Sequence, residues 1–243
     1  KMLDQIQKQD PDILCLEEFF HSPDTIFYNN ISEIKAMGYP YYYFSYDPDG
    51  DHQFIGSAIF SKYPMLDTGL VRYFRPSMTE ALVHADIKVN NDTIRVYATH
   101  LQSVQFRQKD YEAIDEITTV KDSLIDNSKT VLAKLRKAMS LRSSQADVAR
   151  QIMDDSPYPT IFCGDLNDTP NSYSYFTIRG DMQDAFLKKG FGIGRTFSSV
   201  SPTLRIDYIF ADGNFRISQF TRVVKYLSDH FMLMADVELK QKK

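Results

Sequence analysis

The stretch Thr160-Ile161-Phe162-Cys163-Gly164-Asp165-Leu166-Asn167 places an acid and an amide directly after a short apolar run. A continuous run of this kind predicts a strand that is covered on both faces. Alternate residues of a strand project the same way, so Asp165 and Asn167 are expected to lie within a few ångströms of each other. An Asx turn is the competing interpretation, because Asp and Asn readily bond their own backbone. The stretch predicts a polar site or a turn at the end of a core strand.

Four other places put acidic or imidazole side chains in or beside an apolar strand. They are Glu17-Glu18 after Ile13–Leu16, His100 after residues 94–99, Asp207 within residues 205–210, and Asp229-His230 before the final strand. Taken singly, such residues are often solvated loop charges or structural histidines. A carboxylate inside a strand needs a partner, however, and a His is the natural candidate. Strand ends also hold side chains rigidly at the surface, so the five places together favour a functional site.

The pattern of apolar residues predicts one domain, residues 1–243, with β-rich thirds on either side of a helical middle. Between Gln105 and Asp154 the chain contains neither Gly nor Pro, and this helical segment 105–154 is expected to be two helices broken near Asp126-Asn127-Ser128. Shorter helices are predicted before Asp10, at 25–37 and at 173–178. Strands are predicted at 13–16, 41–46, 53–62, 66–74, 81–89, 93–99, 160–164, 205–211, 216–224 and 232–239. This order indicates an α/β or α+β fold, a sheet sandwich with helices on its outer faces, in four layers.

Composition narrows the range of partners. The chain has 243 residues, 43% hydrophobic, with a formal net charge of -4, and its sequence pI is about 5.7. This balance argues against a surface built to bind a long polyanion, although a locally bound phosphate remains compatible with it. The longest apolar stretches are far shorter than the roughly 20 residues that span a bilayer. The two cysteines, Cys15 and Cys163, each lie in an apolar run and are expected to be small buried hydrophobic residues.

The order of motifs resembles the endonuclease/exonuclease/phosphatase superfamily, which includes deoxyribonuclease I. The motifs are LEE at 16–18, SAIFSKYP at 57–64, YATHL at 97–101, CGDLNDTP at 163–170, RIDYIF at 205–210 and SDH at 228–230. They span nearly the whole chain, and GDLN followed by IDYIF and a distant SDH is highly specific. The resemblance implies a deoxyribonuclease I-like sandwich with layers in the order α-β-β-α.

The resemblance also implies a role for each polar residue. Glu18 and Asp229 match metal-side carboxylates, and the implied metal is Mg²⁺ or Mn²⁺. His100 matches a residue that contacts the phosphate, and His230 matches a residue that contacts the phosphate or acts as a base. Asp165 matches the residue that orients or deprotonates the attacking water, and Asn167 matches the amide that holds water and phosphate. Asp207 matches the acid that orients His230. Glu17 stands where the family usually has Gln or Asn, which adds negative charge beside the metal.

One family element has no counterpart. Members begin with a strand ending in an Asn just before the first helix, whereas here the helix starts at Lys1. We therefore expect an N-terminally truncated chain that lacks the first strand. Localisation is left open, because a targeting or anchoring segment can lie in the missing N-terminus.

The expected activity is divalent-metal-dependent hydrolysis of a phosphoester, most of all a phosphodiester, by in-line attack of water. The substrate is left open among a small molecule, a lipid headgroup and nucleic acid, and the protein is expected to act as a monomer. Within this class, a nuclease is the alternative to a lipid or small-molecule phosphodiesterase. From another class, a catalytically silent phosphate-binding module of the same fold also accounts for the pattern.

Overall fold

The computed structural model describes residues 1–23, 29–74, 80–104, 106, 125–199 and 203–241, without the side chains of 125–128. The helices of this part of the chain are α1 (Met2–Gln9), α2 (Asn30–Ala36), α3 (Ile125–Asp154), α4 (Tyr173–Arg179) and α5 (Ala185–Lys189). Its strands are β1 (Ile13–Leu16), β2 (Tyr41–Phe44), β3 (Asp47–Pro48), β4 (Phe54–Ile55), β5 (Ala58–Ser61), β6 (Met65–Arg72), β7 (Ala81–Val89), β8 (Asp92–His100), β9 (Thr160–Asp165), β10 (Gln183–Asp184), β11 (Asp207–Ala211), β12 (Phe215–Val223) and β13 (Met232–Leu239).

Two sheets form the centre of the molecule. The large sheet has the strand order β10-β11-β9-β8-β7-β6, and the small sheet has the order β1-β5-β2. Strands β12 and β13 pair with each other, and β3 pairs with β4. Apolar residues from both sides fill the space between the sheets, including Ile59 of β5, Val83 of β7, Val96 of β8 and Phe215 of β12. The alternation of side chains along each strand gives the large sheet this inner face and a second, outer face.

Helices cover the outer faces of the two sheets. Tyr97 and Phe162 of the large sheet pack in one cluster with Ala149 of α3 and Tyr175 of α4. On the far side, α1 and α2 pack against the small sheet in a cluster with members such as Ile6, Ile31, Ile34, Leu14 and Phe60. The layers therefore run α-β-β-α, which confirms the fold class expected from the sequence.

Most strand bounds fall within two residues of those predicted, and the differences have local causes. The predicted strand 53–62 is divided into β4 and β5 at Gly56, which has a φ of +154°. A Cβ added at Gly56 would lie 2.8 Å from Asp47 Oδ2, so a larger residue would not fit there. Asp126, Asn127 and Ser128 all lie inside α3, so no break separates them from the rest of that helix. Each of these polar residues lowers the helix propensity by roughly a fraction of a kcal/mol. The tertiary packing of the long helix outweighs that cost.

Two predicted segments reach beyond the described residues. Of the helix expected at 25–37, the structure describes 29–37, where α2 occupies Asn30–Ala36. Of the helical segment 105–154, residues 105 and 107–124 lie outside the described residues, and α3 occupies the remainder from Ile125. Where helices are described, none combines the length and apolar character needed to cross a bilayer.

Candidate active site

Three strands of the large sheet bring polar side chains to one edge. Strands β8 and β9 are parallel, and the last residue of each, His100 and Asp165, are register partners. Strand β11 runs antiparallel to β9, and its first residue, Asp207, is opposite Asp165. Because the C-terminal ends of parallel strands meet the N-terminal end of an antiparallel neighbour, three residues from distant parts of the chain lie side by side.

Gly164 allows β8 and β9 to approach closely at this edge. A Cβ added at Gly164 would lie 2.6 Å from the backbone oxygen of Thr99, which is much closer than real Cβ atoms come to an oxygen. Any larger side chain would therefore push against the backbone just before His100 and Asp165. The glycine of the GDLN motif is explained by this packing.

His230 is held by Asp207. Its Nδ1 lies 3.0 Å and 3.1 Å from the two carboxylate oxygens of Asp207. Its backbone forms a bridge with Phe197, whose ring packs edge-on against the imidazole at 4.9 Å between centroids. Burial alone would lower the pKa of His230, but the hydrogen bond and charge of Asp207, aided by Asp165 and Asp229, raise it to about 9. His230 is therefore an imidazolium at neutral pH, with Nε2 free of Asp207.

Asp165 is the buried carboxylate at the centre of the site. It accepts a hydrogen bond of 2.7 Å from the backbone N–H of Asn167. Its Oδ2 lies 3.7 Å from His100 Nε2 and 3.8 Å from His230 Nε2. Burial and the negative charge of Asp207 raise the pKa of Asp165, while His230 and the Asn167 N–H oppose this shift. A carboxylate with a raised pKa is a stronger base than an ordinary aspartate.

Asn167 connects the loop after β9 to the end of β8. Its backbone has a φ of 50°, in the left-handed region that Asn tolerates better than most residues. Its side-chain Nδ2 donates to Leu101 O at 3.0 Å and lies 2.8 Å from His100 Nε2. Burial lowers the pKa of His100, although the charge of Glu18 opposes this. A neutral His100 can accept from the Asn167 amide through Nε2.

The two glutamates after β1 have different environments. Glu18 has a φ of 51° and a side chain that is 70% exposed, with Oε1 3.9 Å from His100 Nε2. For Glu17, burial and the nearby charge of Asp207 raise the pKa to about 7. The sequence predicted that Glu17 lies beside the site. It did not predict the raised pKa, because burial and Asp207, a residue distant in sequence, cause it.

The structure brings together a group of side chains that could hold a metal ion. Asp165, Asp207 and His230 offer ligand atoms that all lie within 4.8 Å of one another, although His230 could act as a ligand only in its deprotonated form. Glu18 lies at the same edge, beside His100. Asp229 is exposed, and its Oδ1 accepts from Ser228 Oγ at 3.0 Å. Carboxylate oxygens are the donors that Mg²⁺ and Mn²⁺ prefer, so the chemistry of this donor set fits such an ion.

Helix α3 supports the site from behind. The buried guanidinium of Arg142 donates to Asp168 Oδ2 at 3.2 Å and to Gln102 O at 3.1 Å. Gln145, one turn further along, accepts from the backbone N–H of Gln102 at 2.8 Å. These bonds fix the segments that follow His100 and Asn167. The sequence did not point to Asp168, the partner of Arg142, because this residue carries no distinctive local pattern.

Comparison with known proteins identifies the family of this chain. The family model described as "Endonuclease/Exonuclease/phosphatase family" matches residues 1–230. Protein angel homolog 1 of Homo sapiens is 25% identical over 186 residues, which are 75% of this chain and 26% of that protein. The chain thus spans about a quarter of the length of this curated relative.

Solved structures share the fold. The human Nocturnin catalytic domain with bound sulfate anion superposes with a TM-score of 0.67 at 17% identity, covering 98% of this chain and 85% of that one. Zebrafish (D. rerio) TDP2 complexed with single strand DNA product gives a TM-score of 0.67 at 15% identity, with 98% and 90% covered. A mannosyl-6-phosphatase from Bacteroides thetaiotaomicron gives 0.64 at 18% identity, with 98% and 89% covered. Because the family model covers nearly the whole chain, this protein belongs to the endonuclease/exonuclease/phosphatase family, whose nucleases and phosphatases hydrolyse phosphoester bonds.

Proposed function

We propose that the protein is a divalent-metal-dependent hydrolase that cleaves a phosphodiester by direct attack of water. The observation that supports this most is the convergence of His100, Asp165, Asn167, Asp207 and His230 at one edge of the large sheet. That edge combines a base of raised pKa, two imidazoles in opposite protonation states and an amide. Groups with such shifted pKa values are typical of an active site in which water attacks phosphorus, and less typical of residues with a purely structural role.

In the proposed reaction, Asp165 orients the attacking water and accepts its proton. The water oxygen forms the new bond to phosphorus, and the bond from phosphorus to the leaving oxygen breaks on the opposite side. The imidazolium of His230 donates through Nε2 to a phosphate oxygen, and its raised pKa makes it a donor rather than a base at neutral pH. Neutral His100 and the Asn167 amide position water and phosphate, an arrangement whose loss commonly costs about 10² to 10³ in rate.

The metal is proposed to bind through carboxylates of this edge, with Glu18 and Asp229 as the predicted ligands and Asp165 and Asp207 close by. When bound, a divalent ion neutralises phosphate charge and polarises the phosphoryl group. Both Mg²⁺ and Mn²⁺ suit oxygen donors, and the donor types do not separate them.

The substrate class is proposed to be a small or locally bound phosphodiester. A nuclease is the alternative within the same chemistry, and one structural relative, TDP2, was solved with a single-stranded DNA product. The formal net charge of -4 supports the first choice, because it leaves little excess of Lys and Arg to bind a long phosphate backbone. We expect the enzyme to work as a monomer.

Hydrolysis of bis-p-nitrophenyl phosphate in the presence of Mg²⁺ or Mn²⁺ tests this function. We expect turnover that His230→Ala lowers by about 10² or more, since a preorganised donor is lost. His52→Ala is the matched control, because His52 is exposed in a turn outside the site. Phosphate binding without turnover in the unmodified protein would instead support the silent binding module.

A substrate panel then separates the classes. Single-stranded DNA, sphingomyelin, inositol phosphates and cyclic dinucleotides would be compared by kcat/KM with Mg²⁺ present. A small diester is expected to exceed DNA, and the reverse order would favour the nuclease.

A further inference from the structure

The segment after β10 exposes apolar side chains beside two lysines. Leu187 is 61% exposed, Phe191 97% and Ile193 66%, and Lys188 and Lys189 lie between them on the exposed surface. We call these five residues the apolar tip. Neither lysine forms an ion pair with any residue that the structure describes.

The packing of the loop at residues 190–194 explains why the apolar tip is exposed. Phe186 belongs to α5, and its ring lies inside this loop. The ring is covered: the Arg205 guanidinium lies 4.8 Å above it, and Phe220 packs edge-on at 5.7 Å. Gly190 and Gly194 wrap around the same ring, and a Cβ added at Gly194 would lie 2.6 Å from it. The fold therefore fills the inside of the loop with one aromatic ring and leaves the next apolar residues outside.

The charge of this region contrasts with that of the whole chain. Between Ala185 and Ile206 the sequence contains two lysines and two arginines but no Asp or Glu, whereas the chain carries a formal net charge of -4. Of these cations, Arg205 is buried against Asp184 and Arg195 donates to the backbone of Phe197 and Ser198. Both lysines are exposed. Exposed apolar side chains next to unpaired lysines are the combination that binds the interface of an anionic membrane.

The apolar tip also lies close to the candidate active site along the chain. Phe197, four residues after Ile193, pairs with His230, so the Cα atoms of Ile193 and Phe197 can be no more than about 14 Å apart. The N–H of the next residue, Ser198, donates to Asp229 O at 2.7 Å. A surface held by the tip would therefore lie close to the active-site edge of the molecule.

From these observations we propose that the apolar tip inserts into the headgroup region of an anionic lipid bilayer and holds the protein at its surface. Phe191 and Ile193 supply the buried apolar area, and Lys188 and Lys189 supply the attraction to anionic headgroups. The proposal concerns docking, so it does not depend on which phosphoester the enzyme cleaves.

Sedimentation with sucrose-loaded vesicles tests it. Vesicles of phosphatidylcholine and phosphatidylserine in a ratio of about 7 to 3 are expected to bind the protein more strongly than phosphatidylcholine alone. Phe191→Ser/Ile193→Ser should reduce binding to both by about tenfold or more, because two apolar side chains no longer leave water. Lys188→Ala/Lys189→Ala should reduce binding to the anionic vesicles only, by about fivefold per lysine.

Phe74→Ser is the matched control. Phe74 is 98% exposed, but it follows β6, at the edge of the large sheet opposite β10. Five strand spacings, roughly 24 Å, separate those edges, so this variant should bind like the unmodified protein. Because all substituted side chains are exposed, circular dichroism should be unchanged.

Several outcomes would overturn the proposal. The first is that the unmodified protein fails to bind anionic vesicles. The second is that Phe191→Ser/Ile193→Ser binds them as strongly as the unmodified protein does. The third is that Phe74→Ser loses as much binding as Phe191→Ser/Ile193→Ser. If vesicles do not bind but the tip variants abolish binding of a single-stranded oligonucleotide, the tip stacks nucleobases instead. If they convert a dimer to a monomer, the tip joins two copies of the chain. Activity on bis-p-nitrophenyl phosphate is measured separately, so failure of docking and failure of the proposed chemistry are distinguishable.

Discussion

The imidazole of His230 illustrates how single residues set the chemistry of this site. Its Nδ1 is bonded to Asp207, and its Nε2 lies 3.8 Å from Asp165. The hydrogen bond and the charge of Asp207, aided by Asp165 and Asp229, outweigh the burial of the ring and raise the pKa of His230 to about 9. The protonated state therefore belongs to the pair rather than to the histidine alone.

Removing the charge of Asp207 should release that pKa. In Asp207→Asn, only the weaker effects of Asp165 and Asp229 oppose burial, so the pKa of His230 should fall well below 9. Titration of the His230 ring by NMR in EDTA measures this directly, with His52 as an internal reference. A pKa of His230 that stays near 9 in the variant would contradict the assignment to Asp207.

The same pair has a pH-dependent effect on stability. The pKa of His230 in the folded protein is raised above the ordinary value of 6.5. The stabilisation that His230 contributes to the folded state is therefore complete below about pH 6.5. It is lost as the pH rises through about 9. The free energy of unfolding of Asp207→Asn should therefore be less sensitive to pH over this range than that of the unmodified protein.

At the scale of elements, the site depends on the close pairing of β8 with β9. Their register joins His100 to Asp165, and Gly164 lets the backbones approach. Behind them, α3 fixes the following segments through Arg142 and Gln145. These hydrogen bonds thus connect the outer helix to the edge of the sheet that carries the candidate site.

Gly164→Ala tests this pairing. The new methyl group would meet Thr99 O, so we expect a loss of about 1 to 3 kcal/mol in the free energy of unfolding. Activity should fall by about tenfold or more, because small displacements of catalytic groups are costly. Gly213→Ala is the control, since nothing lies within 4 Å of a Cβ added there. Equal behaviour of the two variants in thermal unfolding and turnover would show that the close approach is unimportant.

At the scale of the whole molecule, metal binding should add stability to a site that is already assembled. Hydrogen bonds within the chain, such as Asn167 to Leu101 and Asp207 to His230, hold the polar side chains together without an ion. A chelator should therefore abolish activity and leave the fold intact. This differs from small domains that unfold when their structural metal is removed.

Thermal unfolding with and without Mg²⁺ measures this. At about 100 times its dissociation constant, an ion that binds only the folded state adds about 2.7 kcal/mol, or about 5 to 10 °C in a domain of this size. Glu18→Gln should show a much smaller increase, because one of the two predicted carboxylate ligands is lost. An unfolding midpoint that neither Mg²⁺ nor Mn²⁺ changes in either protein would count against a metal site here.

Most strands, in their order along the chain, and the polar residues at their ends could be predicted from the sequence alone. Apolar periodicity predicted β7, β8 and β9 because burial on one or both faces leaves a local pattern of period two or a continuous run. The GDLN and SDH motifs identified the candidate residues because their spacing was recognisable without coordinates.

The resemblance implied that Asp207 orients His230, but the geometry and the protonation of this pair depend on the folded structure. The contact of His230 with Asp207 and Asp165 depends on strand pairings between distant parts of the chain, which local periodicity does not encode. The pKa of Glu17, raised to about 7, depends on burial and on Asp207, neither of which a neighbouring residue reveals. The exposure of Phe191 was likewise decided by packing, because the fold placed Phe186 inside the loop and left Phe191 outside.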